Sequence, residues 1–230
     1  MDPQILIKLN QARKSRAAAI VVTYLADGRG RLILEGDQVE GGLGEEISKV
    51  FLTGKSSKVE VAGEAVFLNV HVPSPRLIAI GAVHISQALA PMAQISGYEM
   101  TVIDPRTAFA TKERFDDTEL RAEWPEDVFK ERKLDPYTAL VAVTHDPKID
   151  DFPIMEALKA GCFYVGALGS RKTHGKRVER LSSQGVYLEH LDTIHAPIGL
   201  DIGAASPQEI AVSIMAEVIQ SFRNRGTMAA

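Results

Sequence analysis

The 230-residue sequence predicts an α/β protein, with a doubly wound and mostly parallel sheet preceded by a small α+β unit. Three observations carry that reading. Residues 76–106, RLIAIGAVHISQALAPMAQISGYEMTVIDPR, spell a short apolar strand, a glycine turn, a helix, and a second apolar strand closing on an acid. From there onward, apolar segments of strand length alternate with segments of helix length, the pattern of parallel strands joined by crossover helices. Ahead of it, Pro73-Ser74-Pro75 restricts the backbone and separates a front part with hairpin signals. The expected domains are therefore 1–74 and 75–230.

In the front part, Asp2 and Pro3 suit the cap and first turn of a helix, for which Ile5, Leu6 and Leu9 supply an apolar stripe. Residues 17–24 read as a strand. The Asp27-Gly28 pair with Gly30 turns the chain, and residues 31–35 return as its partner. The cluster Gly41-Gly42-Leu43-Gly44 reads as a loop, with a helix starting at Glu45 whose first-turn glutamates favour the positive end of its dipole. Residues 58–61 and 65–72 are two more strands.

In the second part, residues 76–80 alternate too little for a half-solvated strand and read as one buried on both faces. Gly81 ends that strand, Gly97 ends the following helix, and residues 100–103 form the next strand. A polar, charge-mixed segment follows, then a helix over 124–133, a buried strand over 138–143 and a helix over 151–160. A short strand at 163–165 leads into Gly166-Ala167-Leu168-Gly169-Ser170-Arg171 and a basic helix over 172–181. The last helix opens on Ser206-Pro207-Gln208-Glu209, a capping box with proline at its first position, and Gly226 closes it.

In an open parallel sheet, ligands bind outside the carboxyl ends of the strands. Reading strand ends alone gives Gly81, His84, Asp104, Arg106, His145, Asp146, Gly169, Ser170, Arg171 and Asp201 as candidate site residues. Asp104 follows Gly81 by 23 residues, the spacing at which a dinucleotide fold places its ribose acceptor. The fingerprint G-x-G-x-x-G is damaged, however, because Val83 and Ser86 stand at its second and third glycine positions. Arg106 could hold a phosphate bidentately; the alternative is an Asp-Pro turn with an internal ion pair. His84 opens a helix, where the dipole disfavours the imidazolium and suits a neutral donor or acceptor; a structural hydrogen bond is the other reading. His145-Asp146 could act as an acid/base pair, although adjacent residues rarely face each other. Gly169-Ser170-Arg171-Lys172 is the strongest anion signal, because free amides and the dipole at a helix start attract anions. Arg171 and Lys172 add charge there, with Lys176 and Arg177 one turn later; the alternative, a solvated basic helix face, explains Lys176 and Arg180 better than it explains Gly169 to Arg171.

Composition narrows the classes. A formal charge of −4 argues against a nucleic-acid or membrane-surface role, and no apolar run reaches the roughly 18 residues of a membrane span. The amino terminus lacks a secretory pattern, and a cytoplasmic location is expected. A lone cysteine, Cys162, excludes an internal disulfide and reads as an inert core thiol. No P-loop, G-x-S-x-G elbow or zinc spacing occurs, and no metal site is expected.

The segments GAVHISQALAP, VIDPR, FATKERF, VTHDP, FYVGALGSRKTH and APIGLDIGAASPQEIAVSIMAE together resemble the carboxyl-terminal Rossmann-like domain of the XdhC/CoxI family. These are maturation factors of xanthine and carbon monoxide dehydrogenases. The resemblance implies a chaperone without turnover of its own. It would bind the molybdopterin form of the molybdenum cofactor as cargo, while a cysteine desulfurase supplies the sulfido ligand. It would then assist insertion into a molybdenum hydroxylase of the xanthine dehydrogenase type, and a homodimer is expected for a chaperone of dimeric enzymes. Two departures stand out: Val83 replaces the glycine of the family's G-A-G-H turn, and no cysteine lies in the front part. The alternatives are an NAD(P)-binding oxidoreductase or nucleotide-sensing domain, and an interaction module.

Overall fold

The computed structural model describes residues 2–225, and its contacts divide them into two compact units, one of residues 2–73 with 223–225, the other of Ser74–Phe222. In the first, α1 (Pro3–Lys14) starts where the Asp2 carboxylate accepts the Gln4 amide at 2.8 Å. Strands β1 (Ala19–Tyr24), β2 (Gly30–Leu34), β3 (Ser57–Val61) and β4 (Glu64–His71) form an antiparallel sheet in the order β2-β1-β4-β3. Ile5, Leu9 and Ala12 of α1 pack on Ala19 and Val21 of β1.

Helix α2 (Gly41–Thr53) corrects one expectation. The glycine cluster is its first turn rather than a preceding loop, and Glu45 and Glu46 lie beyond that turn. Gly44 is required there because a Cβ would overlap the Val39 carbonyl. Glycine's usual helix penalty of about 1 kcal/mol is thus outweighed by close backbone contact.

The second unit holds a five-stranded, all-parallel sheet: β5 (Arg76–Ile80), β6 (Glu99–Ile103), β7 (Glu119–Arg121), β8 (Thr138–Ala142) and β9 (Tyr164–Ala167), in the order β7-β6-β5-β8-β9. Its helices are α3 (His84–Ile95), α4 (Pro125–Glu131), α5 (Pro147–Lys159), α6 (Arg171–Ser183), α7 (Leu188–Leu191) and α8 (Pro207–Arg223). Alternate strand residues feed two cores. Leu77, Ala79, Val102 and Val141 meet Leu89 of α3 and Ile214 and Val218 of α8. Ile78, Ile80, Ile103 and Leu140 meet Val128 of α4, Ile154 of α5 and Leu181 of α6. Two buried faces explain why these strands are apolar throughout.

Several boundaries differ from expectation. Strand β7 was hidden in a charge-mixed segment, because an edge strand need not alternate. It is held by pairing with β6 and by Glu119, which accepts bonds from Thr101 and Arg132. Helix α5 starts four residues earlier than residue 151, capped by Asp146 with Pro147 in its first turn. Strand β9 runs on through Gly166 and Ala167, which pair with Val141 and Ala142. The capping box of α8 forms as expected, with the Glu209 carboxylate accepting the Ser206 amide at 2.8 Å. Gly226, expected to close that helix, lies outside the described residues. Among the described residues no helix is long and apolar enough to cross a membrane.

Candidate functional site

Chain order reverses between β5 and β8, so the crevice expected for a ligand lies outside their carboxyl ends. The turn after β5 is closed by its own side chains. Gly81, at φ +117°, brings the chain so near β8 that a Cβ would stand 2.8 Å from the Thr144 methyl. The amides of Ala82 and Val83 are the donors that a dinucleotide fold offers to pyrophosphate. Here the Ala82 amide donates to Asp104 Oδ2 at 2.8 Å, and the Val83 amide donates to Ser86 Oγ at 2.9 Å. The Ser86 hydroxyl in turn donates to the Gly81 carbonyl at 2.6 Å, which explains a fully buried serine at the third glycine position. Arg114 completes the clamp by donating to the Ala82 carbonyl at 2.8 Å.

Asp104 is fully buried, and Arg106 grips it with two bonds, Nε to Oδ1 at 2.9 Å and Nη2 to Oδ2 at 2.8 Å. Burial pushes its pKa up, but Arg106 and the amides of Ala82 and Arg106 outweigh that and hold the carboxyl below its ordinary value. The internal ion pair of the Asp-Pro turn is therefore what forms. Val83 caps α3 without a side-chain bond and packs partly buried against the core, while His84 is exposed at the first helical position.

Beyond β8 the picture changes. His145 takes a left-handed conformation at φ +64° and is exposed, which lets the next residue cap α5. Asp146 accepts the Lys148 amide and donates its own to Thr144 Oγ1, both at 3.0 Å, so it is a cap rather than the partner of His145. Thr144 donates to Asp150 Oδ1 at 2.7 Å. Asp150 is 1% exposed, its Oδ2 has no hydrogen-bond partner, and burial raises its pKa to about 6.

A cleft of about 280 Å³ opens between the start of α5 and the side of α6, lined by His145, Lys172, Lys176, Arg177 and Arg180 among others. Arg180 is neutralised by Asp151 through bonds of 2.8 and 3.1 Å. Arg177 is 2% exposed and donates Nη2 to the Leu168 carbonyl at 3.1 Å, while its Nε and Nη1 have no partner. Ser170 caps α6 by accepting the Thr173 amide at 3.2 Å, and Gly169 turns the chain into it. Of the sequence candidates, His145 lies on this cleft. Gly169, Ser170 and Arg171 build or open the helix that walls it, Gly81 and Asp104 are committed to the β5 turn, and Asp201 is exposed and apart from the cleft lining. Lys172, Lys176 and Arg177, the cations of that helix's start and its next turn, line the cleft.

Residues 77–218 match the family model described as the XdhC Rossmann domain. The chain belongs to the XdhC family. Its relatives include YqeB, an uncharacterised protein of Escherichia coli, at 32% identity over 70% of this chain and 30% of that one. A protein of Bacillus subtilis named as a probable xanthine dehydrogenase subunit is 36% identical over 65% of this chain and 43% of its own length. PaoD of Escherichia coli, a molybdenum cofactor insertion chaperone, is 30% identical over 64% of this chain and 40% of its own. This chain thus spans less than half the length of these curated relatives. A crystal structure of a xanthine dehydrogenase from Bacillus halodurans shares the fold, with a TM-score of 0.68 at 24% identity over 99% of this chain and 69% of that one.

In this XdhC chain the motif APIGLDIGA has a structural anchor that sequence reading passed over. Glu217 of α8 accepts Tyr164 Oη at 2.7 Å and the Gly199 amide at 2.8 Å, and lies 3.0 Å from His195 Nδ1. The His195 ring stacks on Tyr164 at 4.6 Å, and the Ala196–Pro197 bond is cis. One signal was available: Glu217 is the single acid on the otherwise apolar middle of the last XdhC helix.

Asp150 makes a pH prediction. Its folded pKa of about 6 exceeds the unfolded value of 3.8, so the folded state binds the extra proton between them and stability falls as pH rises through that window. Two units correspond to about 3 kcal/mol. Denaturant unfolding should therefore show Asp150→Asn gaining about 3 kcal/mol on the parent between pH 4 and pH 7. A difference that stays flat over that range would show that Asp150 does not titrate there.

Proposed function

We propose that this XdhC chain binds molybdopterin-type molybdenum cofactor as cargo and assists its insertion into a molybdenum hydroxylase of the xanthine dehydrogenase type. The observation that carries the reading is the cation-lined cleft at the carboxyl edge of the sheet, in a chain whose relatives include a molybdenum cofactor insertion chaperone. Molybdopterin ends in a phosphate, and Lys172, Lys176 and Arg177 offer donors suited to one. The dinucleotide alternative has less support. The Ala82 and Val83 amides are spent on Asp104 and Ser86, and Asp104 is spent on Arg106, which leaves neither a pyrophosphate cradle nor a ribose acceptor at the β5 turn.

Sulfuration by a cysteine desulfurase belongs to the same proposal. Burial pushes the Cys162 thiol up to about 12, so it stays protonated and is a poor sulfur carrier. Sulfur therefore passes from the partner enzyme to the cargo without a relay through this chain.

The test is retention and transfer. Full-length protein is mixed with molybdopterin cofactor, separated by gel filtration, and offered to a cofactor-free xanthine-dehydrogenase-type enzyme. The expected result is co-elution of the cofactor and activation of the acceptor, with Cys162→Ala as effective as the parent. Tight NADPH binding without cofactor retention would overturn the proposal.

A further inference from the structure

The geometry points to a dedicated phosphomonoester subsite between the start of α5 and the side of α6, with Arg177 as its buried anchor and Lys172 and Lys176 as its outer cations. This deepens the cargo reading and rests on it only for the identity of the molecule that bears the phosphate.

Three features support the subsite. The Arg177 guanidinium is 2% exposed and lines the cleft, yet Nε and Nη1 have no hydrogen-bond partner. A buried cation with two unmet donors costs stability unless something satisfies them. Asp150, with Asp151, is one of two acids whose charge acts on Arg177. Its Oδ1 accepts from Thr144 and its Oδ2 is itself unpartnered, so Asp150 and Arg177 do not close a bond. Arg180 points its charge at Asp151 instead, so the cations left to a ligand are Lys172, Lys176 and Arg177, with His145 on the opposite wall.

Size and charge then select the ligand. Pockets for whole drug-sized ligands run from about 300 to 1,000 Å³. At about 280 Å³, this cleft takes a compact end group and leaves the rest of a larger molecule outside. Among small end groups, a tetrahedral dianion matches a guanidinium edge flanked by two ammonium groups, whereas an apolar or cationic group does not. Arg171, which opens α6, is exposed and is not among the cleft's lining residues. The subsite is therefore one turn further along the helix than its start.

The test uses the full chain, with inorganic phosphate and phenyl phosphate as probes in titration calorimetry, and molybdopterin retention scored on the same proteins. The parent is expected to bind both probes saturably, and the exposed double variant Lys172→Gln/Lys176→Gln to bind them at least about tenfold more weakly, the loss of a charge-assisted hydrogen bond or more. Arg177→Lys keeps the charge but removes the fork, and should abolish saturable binding. If that variant fails to fold, the lysine pair still decides the matter. Absence of saturable phosphate binding by the parent, or equal binding by the parent and the lysine variant, overturns the subsite. Loss of phosphate binding with molybdopterin retention intact overturns the assignment of the cargo's phosphate to this cleft and leaves the chaperone reading standing. Phosphate binding by a parent that retains no molybdopterin does the reverse.

Discussion

Replacing Asp104 by alanine is expected to lower folding stability by about 3–4 kcal/mol at neutral pH. The fully buried carboxylate accepts from the Ala82 amide and from Nε and Nη2 of Arg106, so its removal strands a buried donor and a half-buried cation together. Because the carboxyl is held below its ordinary value, its contribution is in place above the unfolded pKa and is lost only as pH falls through the folded one. The gap between parent and variant should thus be constant through neutral pH and close in acid. Urea unfolding at pH 7 and below pH 4 measures both. A loss under about 1 kcal/mol at pH 7 would mean that the β5 turn stands without Asp104.

Glu217→Ala should cost about 3 kcal/mol or more, since unpaired buried donors cost about 1–3 kcal/mol each. It would strand the 1%-exposed Tyr164 phenol and the Gly199 amide and remove the carboxylate beside His195. Burial works against this carboxylate, but His195 and Tyr164 hold it below its ordinary pKa. Glu217→Gln keeps an acceptor and should lose less than half as much. Equal losses for the two variants would mean that charge, not the acceptor geometry, secures the loop.

How far the site could be read from the sequence depended on the range of each signal. The parallel sheet was legible because strands buried on both faces are apolar throughout, and the capping box of α8 because its partners are three residues apart. The anion signal, Gly169 to Lys172 with Lys176 and Arg177 one turn later, led to the helix whose cations line the cleft. A helix start is visible in sequence, whereas which of its sides meets α5 depends on packing around Leu181 and Ile154. Asp104 was read correctly as a strand-end acid, and its commitment to Ala82 and Arg106 was one of two open readings that only coordinates could separate.

By itself, the sequence determined the order of elements, the strand ends where polar residues gather, and the motifs that mark the XdhC family, because periodicity, caps and short spacings are local. Only the tertiary structure decided which polar groups remain unspent. Asp104, Ser86 and Arg114 close the β5 turn, whereas Arg177 keeps two buried donors beside an acid that does not reach it. The physical reason is that a hydrogen bond forms only within about 3 Å. Whether Asp104 meets the Ala82 amide, 22 residues away, or Asp150 misses Arg177, is set by how the helices lie on the sheet.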